Sequence, residues 1–231
     1  MRTLLYCPVI HMEADLGSLS SGIAGRGISD YGEEFWERHK KTVSGFWDSV
    51  ARFFSMLPAY GLKVFQDGMV ADGETGLKIV LEGVDGGSKN FEVVNDLIER
   101  GAVLVRTEDI ALVKEEMAHF VRILRAGTLP EKTAACLRYK AVKKGLLKRR
   151  DRFMAQRIAE AVGPGETGAL FVGAYHDVAA FLPGDIRAVF LKDIGSVREY
   201  QRLIPGRERK KERFDRLSAY LISPITVVLP S

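Results

Sequence analysis

The chain has 231 residues, of which 46% are hydrophobic and 28% are charged, and its formal net charge is +4. This length and composition exclude an intrinsically disordered polypeptide and are typical of one α/β domain or two small ones; we predict a single domain over residues 1–231. The two cysteines show no paired spacing, and no apolar run is long enough to cross a bilayer, so we expect a cytoplasmic protein that does not associate with membranes.

The first third of the chain begins with an apolar run of strand length at residues 3–10. A segment rich in glycine and serine follows at 17–27 and predicts a loop. Apolar and aromatic residues then recur every three or four positions over 31–56, which predicts a long amphipathic helix. The chain therefore opens with a strand, a loop and a helix.

Shorter elements follow. Apolar runs at 62–65, 77–81 and 102–105 predict three strands, and a helix is predicted over 91–100, between the last two. This alternation of strands and helices is typical of a sheet that is covered by helices.

The middle of the chain, about residues 107–162, predicts a helical layer. Thr107 and the two acids after it have the pattern of a helix start, and the apolar periodicity continues to Gly127. A second helix is predicted from Thr128 toward Leu147, and a third over 150–162. We interpret these three helices as an insertion into an α/β fold.

The last third predicts strands at 169–172 and 186–191, a short helix at 177–181 between them, and helices at 196–203 and 208–221. The whole pattern predicts an α/β fold with a mostly parallel or mixed central sheet covered by helices.

Polar side chains follow the first strand at every second residue: His11, Glu13 and Asp15. An extended backbone would point all three to one side, and ligands of open α/β sheets bind beyond the carboxyl ends of the strands. One imidazole and two carboxylates match a divalent metal such as Mn, Fe or Zn. The alternative is that His11 ends the strand and the two acids are solvated loop residues.

Two later strand ends carry similar side chains. Asp67 follows the strand at 62–65, and His176 and Asp177 follow the strand at 169–172 after the turn residue Gly173. The alternatives are that Asp67 only forms a turn, and that Asp177 caps a helix beside an exposed histidine. Three strand ends thus bring possible ligands to one edge of the predicted sheet.

Two clusters of basic residues stand out. Arg150 and Arg152 belong to the first, and either could pair with a phosphate or carboxylate of a substrate. Runs of charge on helices are most often solvated faces, so the pattern favours a solvated surface over nucleic-acid binding, which stays open as an alternative. The clusters consist of Lys143, Lys144, Lys148, Arg149, Arg150, Arg152 and Arg157, and of Arg207, Arg209, Lys210, Lys211 and Arg213.

The order of these motifs resembles the TraB, TIKI, ChaN and erythromycin-esterase-like superfamily. The resemblance rests on the strand that ends in His11, on a helix with Arg152, Met154, Ala155 and Ile158, and on Gly173-Ala174-Tyr175-His176. It implies an α/β fold with pseudo-symmetric halves and, as in the TIKI-like members, metal-dependent hydrolysis of peptide bonds; other members act on esters or bind haem iron.

Carried over by position, the resemblance matches His11 and His176 to the two motif histidines and Arg152 to the helix arginine. Two features depart from the pattern: the first motif lacks its glycine, and Asp67 stands where members often have glutamate.

Together these observations predict a metal-dependent hydrolase that acts on an ester, peptide or related bond of a small-molecule or peptide substrate. His11, Glu13, Asp67 and His176 are its predicted metal ligands and catalytic residues. Asp15 and Asp177 would orient them at the substrate site, and Arg150 and Arg152 would bind substrate charge.

The alternative from another class is a non-catalytic binding protein for haem, a nucleotide or an anionic metabolite. A homodimer is compatible with either function.

Overall fold

The computed structural model describes residues 1–10, 32–204 and 210–228. Within these ranges five strands form one sheet: β1 (Arg2–Val9), β2 (Lys63–Gln66), β3 (Val103–Val105), β4 (Thr167–Gly173) and β5 (Ile186–Phe190). Their order across the sheet is β3-β2-β4-β1-β5, and every neighbouring pair is parallel. The predicted α/β class is confirmed, with an all-parallel sheet.

Helices connect and cover the strands: α1 (Glu33–Ser55), α2 (Gly73–Asp85), α3 (Lys89–Glu99), α4 (Ile110–Arg125), α5 (Leu129–Ala161), α6 (Ile194–Leu203) and α7 (Lys211–Ile222). A short 3-10 helix, Val178–Phe181, follows β4. None of the helices in the described ranges is long and apolar enough to cross a membrane.

The central strands are buried on both faces, as expected for a parallel sheet covered by helices on each side. In β1, Leu5 and Cys7 point to one face, while Leu4 and Tyr6 point to the other, and all four are fully buried. The continuous apolar run that predicted this strand therefore reflects burial on both faces rather than alternation between core and solvent.

The two faces are covered differently. The first packs against α1, α3, α6 and α7, whose apolar residues form the larger core cluster. The second packs against the C-terminal half of α5 through Met154, Ala155 and Ile158, with Val178 of the 3-10 helix beside them. Helix α5 is therefore the main cover of the second face.

The N-terminal half of α5 leaves the sheet and pairs with α4. We call residues 110–149, which comprise α4 and this half of α5, the hairpin. Thr128 begins α5 with a capping box, in which its side chain accepts from Glu131 N and the Glu131 carboxylate accepts from Thr128 N. The hairpin confirms a helical region in the middle of the chain.

Two of the predicted boundaries are wrong. The predicted break between residues 147 and 150 does not exist: α5 runs for 33 residues, about 50 Å, because Leu, Lys and Arg are good helix formers and nothing there interrupts the backbone hydrogen bonds. The predicted strand at 77–81 lies within α2. A short apolar run does not distinguish a strand from a helix by its periodicity.

Candidate functional site

The carboxyl ends of three adjacent strands, β3, β2 and β4, meet at one edge of the sheet. Glu108 follows β3, Asp67 follows β2, and His176 follows β4. Because the strands are parallel and neighbouring, these three side chains converge on the second face, where α5 crosses the edge. Asp151 and Arg150 of α5 complete the cluster.

His176 is held by Asp151. Its Nδ1 lies 2.5 Å from Asp151 Oδ1, and Asp151 Oδ2 accepts a hydrogen bond of 3.0 Å from Asp177 N. A tight turn after β4, in which His176 N donates to Gly173 O, brings the imidazole back over the strand end. His176 is 5% exposed and Asp151 is 3% exposed, so the pair has little contact with solvent.

The other side of the imidazole faces Asp67. His176 Nε2 lies 3.6 Å from Asp67 Oδ2, which also accepts from Gly173 N at 3.2 Å. Asp67 is itself fixed at the end of β2 because its N donates to Phe171 O. The ring of His176 is therefore placed between two carboxylates.

These carboxylates decide the protonation of His176. Burial lowers its pKa, but the hydrogen bond with Asp151 and the negative charges of Asp67 and Asp151 raise it more, so the pKa lies above its ordinary value. The two carboxylates therefore stabilise the protonated imidazole relative to that of a histidine in solvent.

Arg150 binds three carboxylates of the protein. Its Nε lies 3.1 and 3.2 Å from the two oxygens of Glu108, its Nη2 donates to Asp67 Oδ1 at 2.8 Å, and its Nη1 donates to Glu116 Oε2 at 2.5 Å. Glu116 on α4 also accepts a hydrogen bond of 2.8 Å from Tyr139. One guanidinium thus joins the sheet edge to the hairpin.

The cluster carries more negative than positive charge. Asp67, Glu108, Glu116 and Asp151 face two side chains that can be cationic, Arg150 and His176. Glu108 is fully buried, and burial raises its pKa to about 7, although the contact with Arg150 opposes this rise. The excess of carboxylates gives the site a capacity for a proton or a cation.

The predicted site residues fall into three groups. His11, Glu13 and Asp15 lie outside the described residues. Asp67 and His176, predicted from separate strand ends, are brought together.

The third group consists of Arg150, Arg152 and Asp177. Arg150 lies beside Asp67, but its donors are directed to protein carboxylates, so its role toward a substrate stays a prediction. Arg152 is exposed, with its guanidinium 5.3 Å from the centre of the Phe181 ring. Asp177 is exposed and joins the cluster through its backbone N.

Glu108, Glu116 and Asp151 were not predicted as site residues. Glu108 was interpreted as part of a helix start, but the residue that caps α4 is Asp109, whose side chain accepts from Ala111 N. The position of Glu108, three residues after the end of β3, is the signal that could have identified it. No comparable signal marks Asp151, whose role depends on where α5 crosses the sheet edge.

Of the four predicted metal ligands, two lie in the described residues, Asp67 and His176. No group of three or more His, Cys, Asp or Glu side chains in the described ranges is placed to hold a metal ion. An imidazole and a carboxylate are nevertheless suitable donors for Zn, Mn or Fe.

The chain matches no protein-family model, no curated protein and no solved structure. The function of the site is therefore argued from its own residues.

Proposed function

We propose that this protein is a metal-dependent hydrolase of an ester, peptide or related bond, with its active centre at the carboxyl edge of the sheet. The proposal depends on one observation: His176 Nε2 lies 3.6 Å from Asp67 Oδ2, while Asp151 holds Nδ1 of the same ring.

This arrangement has the features of a metal-binding histidine. Such a histidine almost always donates its second ring N–H to a carboxylate, which fixes the tautomer and the ring orientation. Two donors at about 2.1 Å from one ion in tetrahedral geometry lie about 3.4 Å apart. Asp67 and His176 would need to move by a few tenths of an ångström to share an ion.

The remaining ligands are proposed from the segment after β1. Strand β1 lies next to β4, and Val9 pairs with Gly173, so the chain leaves β1 beside the turn that carries His176. His11 and Glu13 follow within four residues of Val9 and have suitable donor chemistry. We propose them as the third and fourth ligands.

A divalent metal at such a site lowers the pKa of its bound water toward neutrality. In this proposal Asp151 would accept the hydrogen bond from Nδ1 of His176, Nε2 would lose its proton when it binds the ion, and a carboxylate of the cluster would accept a proton from water. Arg152, which is exposed on α5, would bind negative charge of the substrate.

The test compares metal content in matched variants. The protein purified without chelators, then incubated with Mn, Fe or Zn and desalted, should retain about one ion per chain by inductively coupled plasma mass spectrometry. Asp67→Asn and His176→Gln should each lose most of it, and both should lose hydrolysis of a panel of esters and peptides. His119→Gln, a change on the hairpin, is the control.

Metal content that is equal in the wild type, the two site variants and the control would contradict the proposal. A small molecule that copurifies with the protein, without turnover of any substrate, would favour the non-catalytic binding protein instead.

A further inference from the structure

The charge of this protein is divided between two regions. Residues 110–149, the hairpin, contain ten lysines and arginines but three acidic residues, a net charge of +7. The whole chain carries +4, so the remainder is net −3. The hairpin is therefore strongly basic, whereas the rest of the chain, which we call the body, is acidic. The modest total charge does not reveal this division.

Three lysines form a stripe along the part of α5 that belongs to the hairpin. Lys140, Lys144 and Lys148 are four residues apart, about 6 Å along the helix axis, and all are exposed. None makes a hydrogen bond or ion pair with another of the described residues. Like charges at this spacing destabilise a helix, so the helix gains nothing from the stripe.

The stripe is accessible. Tyr139 and Leu146 turn toward α4 on another side of the helix, where Tyr139 contacts Glu116 and Leu146 is buried. Small residues, Ala141 and Gly145, lie beside the lysines, and a Cβ added at Gly145 would meet nothing within 4 Å. A bulky ligand can therefore approach the helix backbone here.

Three arginines that form no ion pair with another described residue lie nearer to the free end of the hairpin. Arg122, Arg125 and Arg138 line a cleft of about 600 Å³ between α4 and α5, which Glu131 and small residues such as Ala118 also line. Arg122 and Arg125 also stabilise the C-terminal end of α4 by charge, but Arg138 does not. The positive surface thus extends from the sheet edge to the end of the hairpin.

We propose that the hairpin binds the phosphodiester backbone of a nucleic acid, independently of the function proposed for the sheet edge. Regularly spaced lysines on an open helix face match a regularly charged polymer, and contacts to phosphates carry no sequence preference. A helix that binds in a membrane surface needs a broad apolar face, whereas Ala141 and Gly145 flank this stripe. This placement revises the expectation of a merely solvated basic face.

The stripe also determines which lysines to change. Arg149 pairs with Glu115, and Lys143 lies 5.8 Å from the centre of the Tyr139 ring, so both have structural contacts. Changing Lys140, Lys144 and Lys148 avoids those contacts.

The test is fluorescence anisotropy of the full chain with a labelled 20-base-pair DNA duplex of arbitrary sequence, in EDTA, over a range of salt concentrations. The triple variant K140Q/K144Q/K148Q should bind roughly tenfold more weakly, and the slope of log K against log salt should fall by about three. The control K41Q/K78Q/K211Q removes the same charge from exposed lysines of the body and should bind like the wild type.

Equal weakening in the two triple variants would overturn the proposal, because the effect would then follow net charge alone. The proposal would also be overturned if the wild type did not bind the duplex at low salt. It would likewise be overturned if the triple variant K140Q/K144Q/K148Q lost binding to phosphatidylglycerol vesicles but kept binding to the duplex. Circular dichroism and thermal melts of each variant confirm that it is folded. The metal content of K140Q/K144Q/K148Q tests the sheet-edge site separately.

Discussion

The two halves of α5 show how one helix can be stabilised in two ways. In the C-terminal half, Met154 and Ile158 are fully buried against the sheet. In the N-terminal half, Leu129 is 78% exposed and Leu137 is 62% exposed. Packing against the body therefore stabilises one half, whereas the other depends on helix propensity, its capping box and its contacts with α4.

The polar cluster lies where these halves meet. Arg150 connects Asp67 and Glu108 of the body to Glu116 of the hairpin. The preceding residue of α5, Arg149, pairs with Glu115 of α4. Contacts of the hairpin that are far from this cluster should contribute less to the free energy of unfolding of the domain than contacts of the body.

The largest effect is expected where the two regions join. Arg150→Met leaves three carboxylates without their cation, and Glu108 is fully buried. Removing one partner of a buried ion pair costs about 3–5 kcal/mol of unfolding free energy, which urea denaturation measures. Arg152→Met, an exposed change two residues away, is the control and should cost less than about 1 kcal/mol. Equal losses would show that the cluster does not stabilise the junction.

The next comparison is made within α5 itself. Ile158→Ala should lower the free energy of unfolding by about 2–5 kcal/mol, because it creates a cavity under the sheet. Leu137→Ala should change it by less than about 0.5 kcal/mol, because the side chain is mostly in solvent. Urea denaturation at one pH measures both, and a similar loss in the two variants would mean that the hairpin half is covered in solution.

The sequence predicted the sheet better than it predicted the helices that cover it. Buried parallel strands such as β1 and β4 are continuous apolar runs between polar segments, and this signal is local. The length of α5 and the helical state of residues 77–81 were not predicted, because both depend on competition between propensity and tertiary packing.

The candidate site was predicted in part for a related reason. Asp67 and His176 follow strands, and the geometry of a parallel sheet brings strand ends together. Asp151 and Glu116 enter from helices, and their positions depend on how α4 and α5 pack, which no short sequence pattern determines. Asp67 and His176 were therefore predictable from the strands they follow, whereas the acidic helix residues Asp151 and Glu116 were not.

The smallest expected effect is the change in the free energy of unfolding that a histidine of each region contributes as the pH falls. His39 lies in the body, where its Nδ1 is 2.8 Å from the hydroxyl of Tyr200, and burial lowers its pKa to about 4. In the unfolded chain its pKa is about 6.5. As the pH falls from about 6.5 to 4, the unfolded chain binds a proton that the folded chain does not, so the free energy of unfolding falls over this range.

His39→Gln removes this contribution. Between pH 7 and pH 5 the variant should therefore lose about 2 kcal/mol less stability than the wild type does, as measured by urea denaturation at the two pH values. The variant also changes the hydrogen bond to Tyr200, but it does so at both pH values. This change therefore cancels when the loss of stability between the two pH values is compared. His119→Gln, on the hairpin, is the matched control. If His39→Gln loses as much stability on acidification as the wild type, His39 takes up its proton equally in the folded and unfolded chain, and the packing of α1 against α6 does not exclude water from it.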